Sequence, residues 1–249
     1  DLLNKLQYYP LGLLLILFLF GTIIYLAFKS NKIADQNRLW AGLAKETAHQ
    51  IGTPLSSLLG WVALLRMENA SEETVSEIEK DVSRLNTIAD RFSKIGSVPK
   101  LTRHDVVEET RVAFDYIRSR SFKQIEFEFN TLNDKPIYVD LNPQLYSWVI
   151  ENLVKNAIDA MSGKGSLEIS VFQENNTAVI TVTDSGKGIP KRLQKKIFEP
   201  GYTTKQRGWG LGLSLTKRII EDYNKGKIFV KRSEIGKGTT FMIQMKVSD

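Results

Sequence analysis

Residues 142–163 read NPQLYSWVIENLVKNAIDAMSG. This stretch predicts a helix. Pro143 suits the first turn, where a missing N–H costs nothing, and Gly163 follows as a stop. Asn152 and Asn156 fall at i and i+4, so they share one helix face. Asn is a neutral oxygen donor suited to Mg²⁺, which keeps waters and shares phosphate oxygens. Taken alone, the pair reads more readily as two surface amides.

The neighbouring segments set the fold class. Residues 105–120 read as a helix, and QIEFEFN (124–130) and KPIYVD (135–140) alternate like strands. SLEISVFQ and AVITVTD predict two strands around the polar turn ENNT. A helix follows at LGLSLTKRIIEDYN (211–224), then two closing strands around SEIGKG. Helices and strands mix without regular βαβ alternation, which predicts an α+β sandwich with one mixed sheet.

Two glycine-bearing stretches lie on this half. In DSGKGIP, Asp184 ends a strand, and Gly186 and Gly188 let backbone approach a ligand; an ordinary turn reads the same way. In GWGLGLS, Gly208, Gly210 and Gly212 open a helix, whose free N–H groups can receive phosphates. No strand leads straight into this triplet, so it is neither a P-loop nor a Rossmann fingerprint.

Composition narrows the classes. The chain has 249 residues, 42% hydrophobic and 25% charged, enough for one large domain or two small ones. It has no Cys, which excludes disulfides, thiolate metal sites and cysteine nucleophiles. Net charge is +6 and the pI about 9.3, but no basic stripe interleaved with aromatics points to nucleic acid. A basic balance also suits a cytoplasmic surface near anionic membrane lipid.

LGLLLILFLFGTIIYLAF (11–28) carries no charge. As a helix it spans roughly 27 Å, close to a bilayer core. A buried core helix is the other reading, though one seldom lacks a polar face for five turns. Tyr8, Tyr9 and Tyr25 suit the interfaces. Lys29, Lys32 and Arg38 after the span outnumber Lys5 before it, which puts the following part in the cytoplasm. The chain starts at Asp1 rather than Met, so an upstream sensor region is expected to have been removed.

Beyond the span the sequence stays helical. Ile33, Trp40 and Thr47 fall seven apart, and the apolar pattern continues through Ile51, Leu55, Leu58, Leu59, Val62 and Leu65. After MENASEE a second stripe runs Val75, Ile78, Val82, Leu85, Ile88, Phe92, Ile95 and ends at Gly96. Two amphipathic helices on a short loop predict an antiparallel hairpin. One stripe per helix is an incomplete core, so two hairpins are expected to pair as a homodimeric four-helix bundle. Pro54 is expected to kink the first helix or loosen its ladder, which would place an irregular turn beside His49. His49 stands in AKETAHQIGTPLSSLLGW (44–61), either as a buried helix residue or as a displayed nucleophile.

Together these stretches resemble the catalytic core of a membrane-bound sensor histidine kinase of two-component signalling. HQIGTPLSSL is similar to the phosphoacceptor box, NLVKNA to the asparagine box and DSGKGIP to the first glycine box. IFEPGYTTK resembles the phenylalanine box, GWGLGLSL the second glycine box and GKGTTF the closing glycine-threonine motif. The resemblance implies three regions: a transmembrane helix at 8–29, a dimerisation and phosphotransfer hairpin at 30–97, and a catalytic ATP-binding domain at 98–249. It implies the plasma (inner) membrane as location and a response-regulator receiver domain as partner. His49 would accept the γ-phosphoryl group of ATP, and Thr53 would orient a water for phosphatase action. Asn156 would hold Mg²⁺, with Asn152 and Lys155 near the phosphates and Asp184 on the adenine amine. Gly186, Gly188, Gly208, Gly210, Leu211, Gly212 and Thr239 would shape the nucleotide pocket. Phe198 would anchor its mobile segment, and Lys205 would reach the terminal phosphate.

Two positions depart from the family. Gln50 stands where an acid usually follows the phosphoacceptor, and Glu46, one turn earlier, is the candidate substitute base. Trp209 stands where the second glycine box usually has a small or hydroxylated residue. Three rivals share features with this reading. A gyrase- or chaperone-type ATPase would carry a downstream transducer domain, for which no room is expected after the closing strands. A serine kinase on a similar pocket would make an acid-stable product. A degenerate kinase would be an ATP-binding membrane scaffold without transfer activity.

Overall fold

The computed structural model describes residues 8–68, 71–95, 99–121, 124–132, 135–205 and 210–248; side chains at 32–50, 52, 53, 84, 88, 90–93 and 95 fall outside that description. The chain divides into two compact units, Asp1–Ser97 and Val98–Asp249.

The first unit holds helix α1 (Tyr9–Met67) and helix α2 (Glu72–Ile95). As the sequence suggests, the chain stays helical beyond the apolar span, and α1 runs through both the span and the first hairpin helix. It is also continuous through Pro54, where an irregular turn was expected. A proline removes one N–H from the ladder and crowds one carbonyl; the hydrogen bonds on either side still carry the helix past it. Tyr9–Asn31 is the one stretch among the described residues long and apolar enough to cross a membrane, and none of it is buried.

Past that stretch α1 packs on α2. Leu55 and Val62 meet Val75 and Val82, with Leu65 and Ile78 at the edge of the cluster. The steps of seven in each helix put these residues on one stripe, which is why the two stripes zip together. Arg66 reaches across the turn to Glu79 at 3.0 Å and lies 3.6 Å from Glu72. Leu58, Leu59, Trp61, Leu64 and Leu85 stay exposed on this hairpin.

The second unit is α+β. Strand β1 (Thr102–Asp105) leads into helix α3 (Val106–Arg118), with Asp105 capping it by accepting the Val107 N–H at 3.0 Å. Strands β2 (Ile125–Thr131) and β3 (Tyr138–Leu141) precede helix α4 (Pro143–Ala160). Asn142 caps α4 by accepting the Leu145 N–H at 3.2 Å. Then come β4 (Gly165–Glu174), β5 (Thr177–Asp184), two 3-10 turns, helix α5 (Gly212–Arg218) with a wider turn at Ile219–Tyr223, β6 (Lys227–Glu234) and β7 (Gly238–Lys246).

The main sheet has the order β2-β4-β5-β7-β6, with β2 parallel to β4 and the other pairs antiparallel. A single mixed sheet was expected; the structure adds a separate antiparallel ribbon of β1 and β3. Residue 105, read as part of a helix, ends β1 and caps α3 instead.

Period-two alternation places Leu167, Ile169 and Val171 of β4 on the covered face, beside Ile180 and Val182 of β5. Register then aligns Ile180 with Ile243 and Val182 with Phe241. Helices α3 and α4 supply the other half of this core, through Phe114, Val149, Leu153 and Val154 among others. Phe114 packs against Phe127 and Phe129 with centroids 5.7 and 5.6 Å apart. Burying one such side chain is worth about 2 kcal/mol. With Leu153, Val154 and Ala157 committed to the core, α4 is locked in rotation, and Asn152, Lys155, Asn156 and Asp159 are left along its open side.

Candidate functional site

The site residues of the second unit gather around the C-terminal half of α4 and the facing end of the sheet. Asp184 is the last residue of β5 and is only 4% exposed. Its Oδ1 accepts the Gly186 N–H at 2.8 Å, and a second backbone bond comes from Thr239. Burial pushes its carboxyl above the usual range, while the N–H groups of Gly186 and Thr239 pull the other way. Asp184 pairs with Thr239 across β5 and β7, so sheet register alone brings the first glycine stretch against the closing hairpin.

Two glycines make that approach possible. Gly188 has φ +73°, and a Cβ there would fall 2.1 Å from the Glu234 carbonyl oxygen. Gly238 has φ +110°, and its Cβ would fall 1.8 Å from the Asp184 carbonyl oxygen. The loop is fastened further by Ser233, whose Oγ accepts the Ile189 N–H at 2.7 Å and lies 2.9 Å from Thr239 Oγ1. On its other side the Lys187 N–H donates to the Ala160 carbonyl, tying the loop to the end of α4 at 3.1 Å.

Asn152 of α4 donates to the Gly212 carbonyl at 3.5 Å, a long contact that sets α4 beside the first turn of α5. Leu211 caps that helix without a side-chain hydrogen bond. Gly210 accepts the Gly201 N–H at 3.1 Å and so joins the two ends of the segment between the phenylalanine stretch and α5. Phe198 is buried, its ring 6.2 Å from Phe241 and edge-on, with the Lys217 ammonium 6.0 Å from its centroid. Lys155 pairs with Glu151 at 3.6 Å.

Lys205, expected from the resemblance to reach the terminal phosphate, lies against α4. Its Nζ donates to Asn156 Oδ1 at 3.0 Å and to Asp159 Oδ2 at 2.5 Å. Asn156 thus already receives a cation at its amide oxygen. Among the described residues, no group of three His, Cys, Asp or Glu could hold a metal by itself. The donor set fits a Mg²⁺ that takes one amide oxygen and finds its remaining partners in phosphate and water.

The structure therefore brings together Asn152, Lys155, Asn156, Asp184, Gly186, Gly188, Phe198, Lys205, Gly210, Leu211, Gly212 and Thr239 on one unit. Gly208 and Trp209 lie outside the described residues. Glu46, His49, Gln50 and Thr53 lie on α1, in the other unit, with Glu46, His49, Gln50 and Thr53 side chains outside the description. Asp159 and Ser233 were missed by sequence reading. Asp159 had a signal, its position three residues after Asn156. Ser233 had none, because its partners come together only through the register of β6 and β7.

A family model described as histidine kinase-, DNA gyrase B-, and HSP90-like ATPase matches residues 142–249. The catalytic domain of histidine kinase ThkA is 33% identical, with TM-score 0.52, covering 59% of this chain and 96% of that one. The chain belongs to the histidine kinases. Sporulation kinase D of Bacillus subtilis (strain 168) is 31% identical over 99% of the chain and 51% of its own length. The chain thus spans about half of this curated relative. The same ThkA kinase, solved in complex with response regulator protein TrrA, matches at 27% identity and TM-score 0.55, over 83% of this chain and 61% of that one.

Proposed function

We propose that this histidine kinase phosphorylates its own His49 from ATP and passes the phosphoryl group to an aspartate of a response-regulator receiver domain. The observation that carries the proposal is the placement, on one unit, of a buried acceptor at Asp184 and a cation-binding amide at Asn156. The two ends of a nucleotide make opposite demands. Adenine needs an acceptor for its exocyclic amine, which Asp184 offers. The triphosphate needs cations and N–H donors, which Asn156, Lys205, Lys155 and the first turn of α5 offer.

Bound at Asn156, Mg²⁺ would neutralise phosphate charge and help hold the γ-phosphorus for in-line attack. One imidazole nitrogen of His49 attacks that phosphorus while the other carries the proton. The new N–P bond forms as the bond to the leaving ADP oxygen breaks. Gln50 holds the ring by accepting its N–H, and Glu46 is the candidate carboxylate to offset the developing imidazolium charge and accept its proton. A receiver aspartate then takes the phosphoryl group, freeing the His49 nitrogen, and Thr53 orients the water that hydrolyses the partner's aspartyl phosphate in the phosphatase reaction. The partner class is supported by the relative solved with a response regulator.

The three regions are proposed as 8–29, 30–97 and 98–249. The apolar stretch crosses the plasma membrane among its lipids, and Lys29, Lys32 and Arg38 keep the remainder in the cytoplasm. Exposed Leu58, Leu59 and Leu85 support pairing of two hairpins into a homodimeric four-helix bundle. The test is incubation with γ-labelled ATP and Mg²⁺, followed by acid and base treatment. Label lost in acid and kept in base supports phosphohistidine. Acid-stable label, or none, rejects it.

A further inference from the structure

We propose that Asp159 is a positioning residue that holds Lys205 at the metal end of the nucleotide site. The proposal rests on the reading of Asn156 as the Mg²⁺-binding amide and of Lys205 as a phosphate cation.

The geometry is specific. Asn156 and Asp159 stand at i and i+3 on α4, so their side chains rise one turn apart on the same side. Both converge on one ammonium, Asn156 at 3.0 Å and Asp159 at 2.5 Å. Lys205 lies 46 residues further along the chain than Asp159, so the pair closes a long loop onto the helix. The segment arriving at Lys205 has a local order of its own, since the Lys205 N–H donates to Thr203 Oγ1 at 3.0 Å.

Stability does not account for the pair. Lys205 and Asp159 side chains are 45% and 54% exposed, and exposed ion pairs add little to folding. A carboxylate beside a triphosphate site is otherwise unfavourable, because it repels the ligand. Paired with Lys205, it contributes no net charge. The arrangement also solves a competition. Lys205 and a metal ion call on the same Asn156 oxygen. Asp159 gives the ammonium a second acceptor one turn along, so Lys205 can yield Asn156 and remain beside the phosphates. Without Asp159, a lysine displaced from Asn156 has no anchor on α4.

The tests use the full chain carrying Asp159→Ala, Lys205→Ala, both together, and the exchange Asp159→Lys with Lys205→Asp. In nucleotide-free protein, hydrogen exchange of the residue-205 amide should be about three- to ten-fold faster than wild type in either single variant, and faster by the same factor, not by the product, in the double. In the labelling reaction, Asp159→Ala should lower the rate at saturating ATP about 10-fold, with KM for ATP within about two-fold of wild type. The double variant should be no slower than Lys205→Ala, and the charge exchange should recover part of the loss. The unfolding midpoint of Asp159→Ala should stay at the wild-type value.

Unchanged exchange and unchanged saturating rate in Asp159→Ala would overturn the proposal. So would losses in the double variant that multiply, since independent roles give that result. If wild type yields no acid-labile label, the kinase reading fails, and amide exchange alone decides whether Asp159 anchors Lys205.

Discussion

Gly238 approaches the Asp184 carbonyl oxygen so closely that a Cβ on the glycine would fall 1.8 Å from it. No side chain fits, and φ of +110° strains any residue other than glycine. Gly238→Ala should force β7 away from the end of β5, where Thr239 bonds Asp184. We expect a loss of stability of about 2 kcal/mol or more in denaturant unfolding. ATP affinity, measured by titration calorimetry, should fall with it.

The raised pKa of Asp184 gives a pH test. Folding takes up a proton wherever pH lies between the ordinary carboxyl value of 3.8 and the raised folded one. The contribution of Asp184 to stability is therefore largest on the acid side and falls as pH rises through that window. Asp184→Asn has no such titration. The stability of wild type relative to this variant should decline as pH rises above the ordinary carboxyl value of 3.8. Denaturant midpoints of both proteins across that range check the sign, and a gap that widens in favour of wild type would contradict it.

How much of this was legible in the sequence follows from how local each signal is. Asn152 and Asn156 could be placed on one face because helix period is a local property, and Pro143 and Gly163 bounded that helix. Period-two alternation marked β4 and β5 in the same way. Strand β1 was not legible. It is four residues long, its neighbours read as helix, and it exists because Arg103 and His104 find Asp140 and Val139 far along the chain. Lys205 was placed as a phosphate cation by motif, but its two acceptors on α4 required the loop to close. The continuity of α1 through Pro54 was missed because proline propensity speaks to one hydrogen bond, while the helix has many on each side.

Asn156→Asp replaces a neutral donor by a carboxylate beside Asp159. It should hold Lys205 more firmly and repel phosphate. ATP affinity in the presence of Mg²⁺ should drop about 10-fold or more. Unchanged affinity together with unchanged turnover would remove Asn156 from the site.

The base that assists His49 is open to a four-protein comparison. General-base assistance is typically worth about 10²–10⁴ in rate. If Glu46 is that base, Glu46→Gln should slow labelling at least ~10-fold, and adding Gln50→Glu should restore it. If Gln50 only orients the ring, Gln50→Glu should speed labelling and Glu46→Gln should change little. Equal rates for wild type, both single variants and the double variant would exclude a carboxylate base at either position.

The most direct test of the whole account is the fate of label in His49→Gln. The nucleotide residues lie on the other unit, so this variant should bind ATP with wild-type affinity by titration calorimetry. Incubated with γ-labelled ATP and Mg²⁺, wild type should gain acid-labile label and His49→Gln should gain none. Acid-labile label that persists in the variant would contradict the assignment of His49.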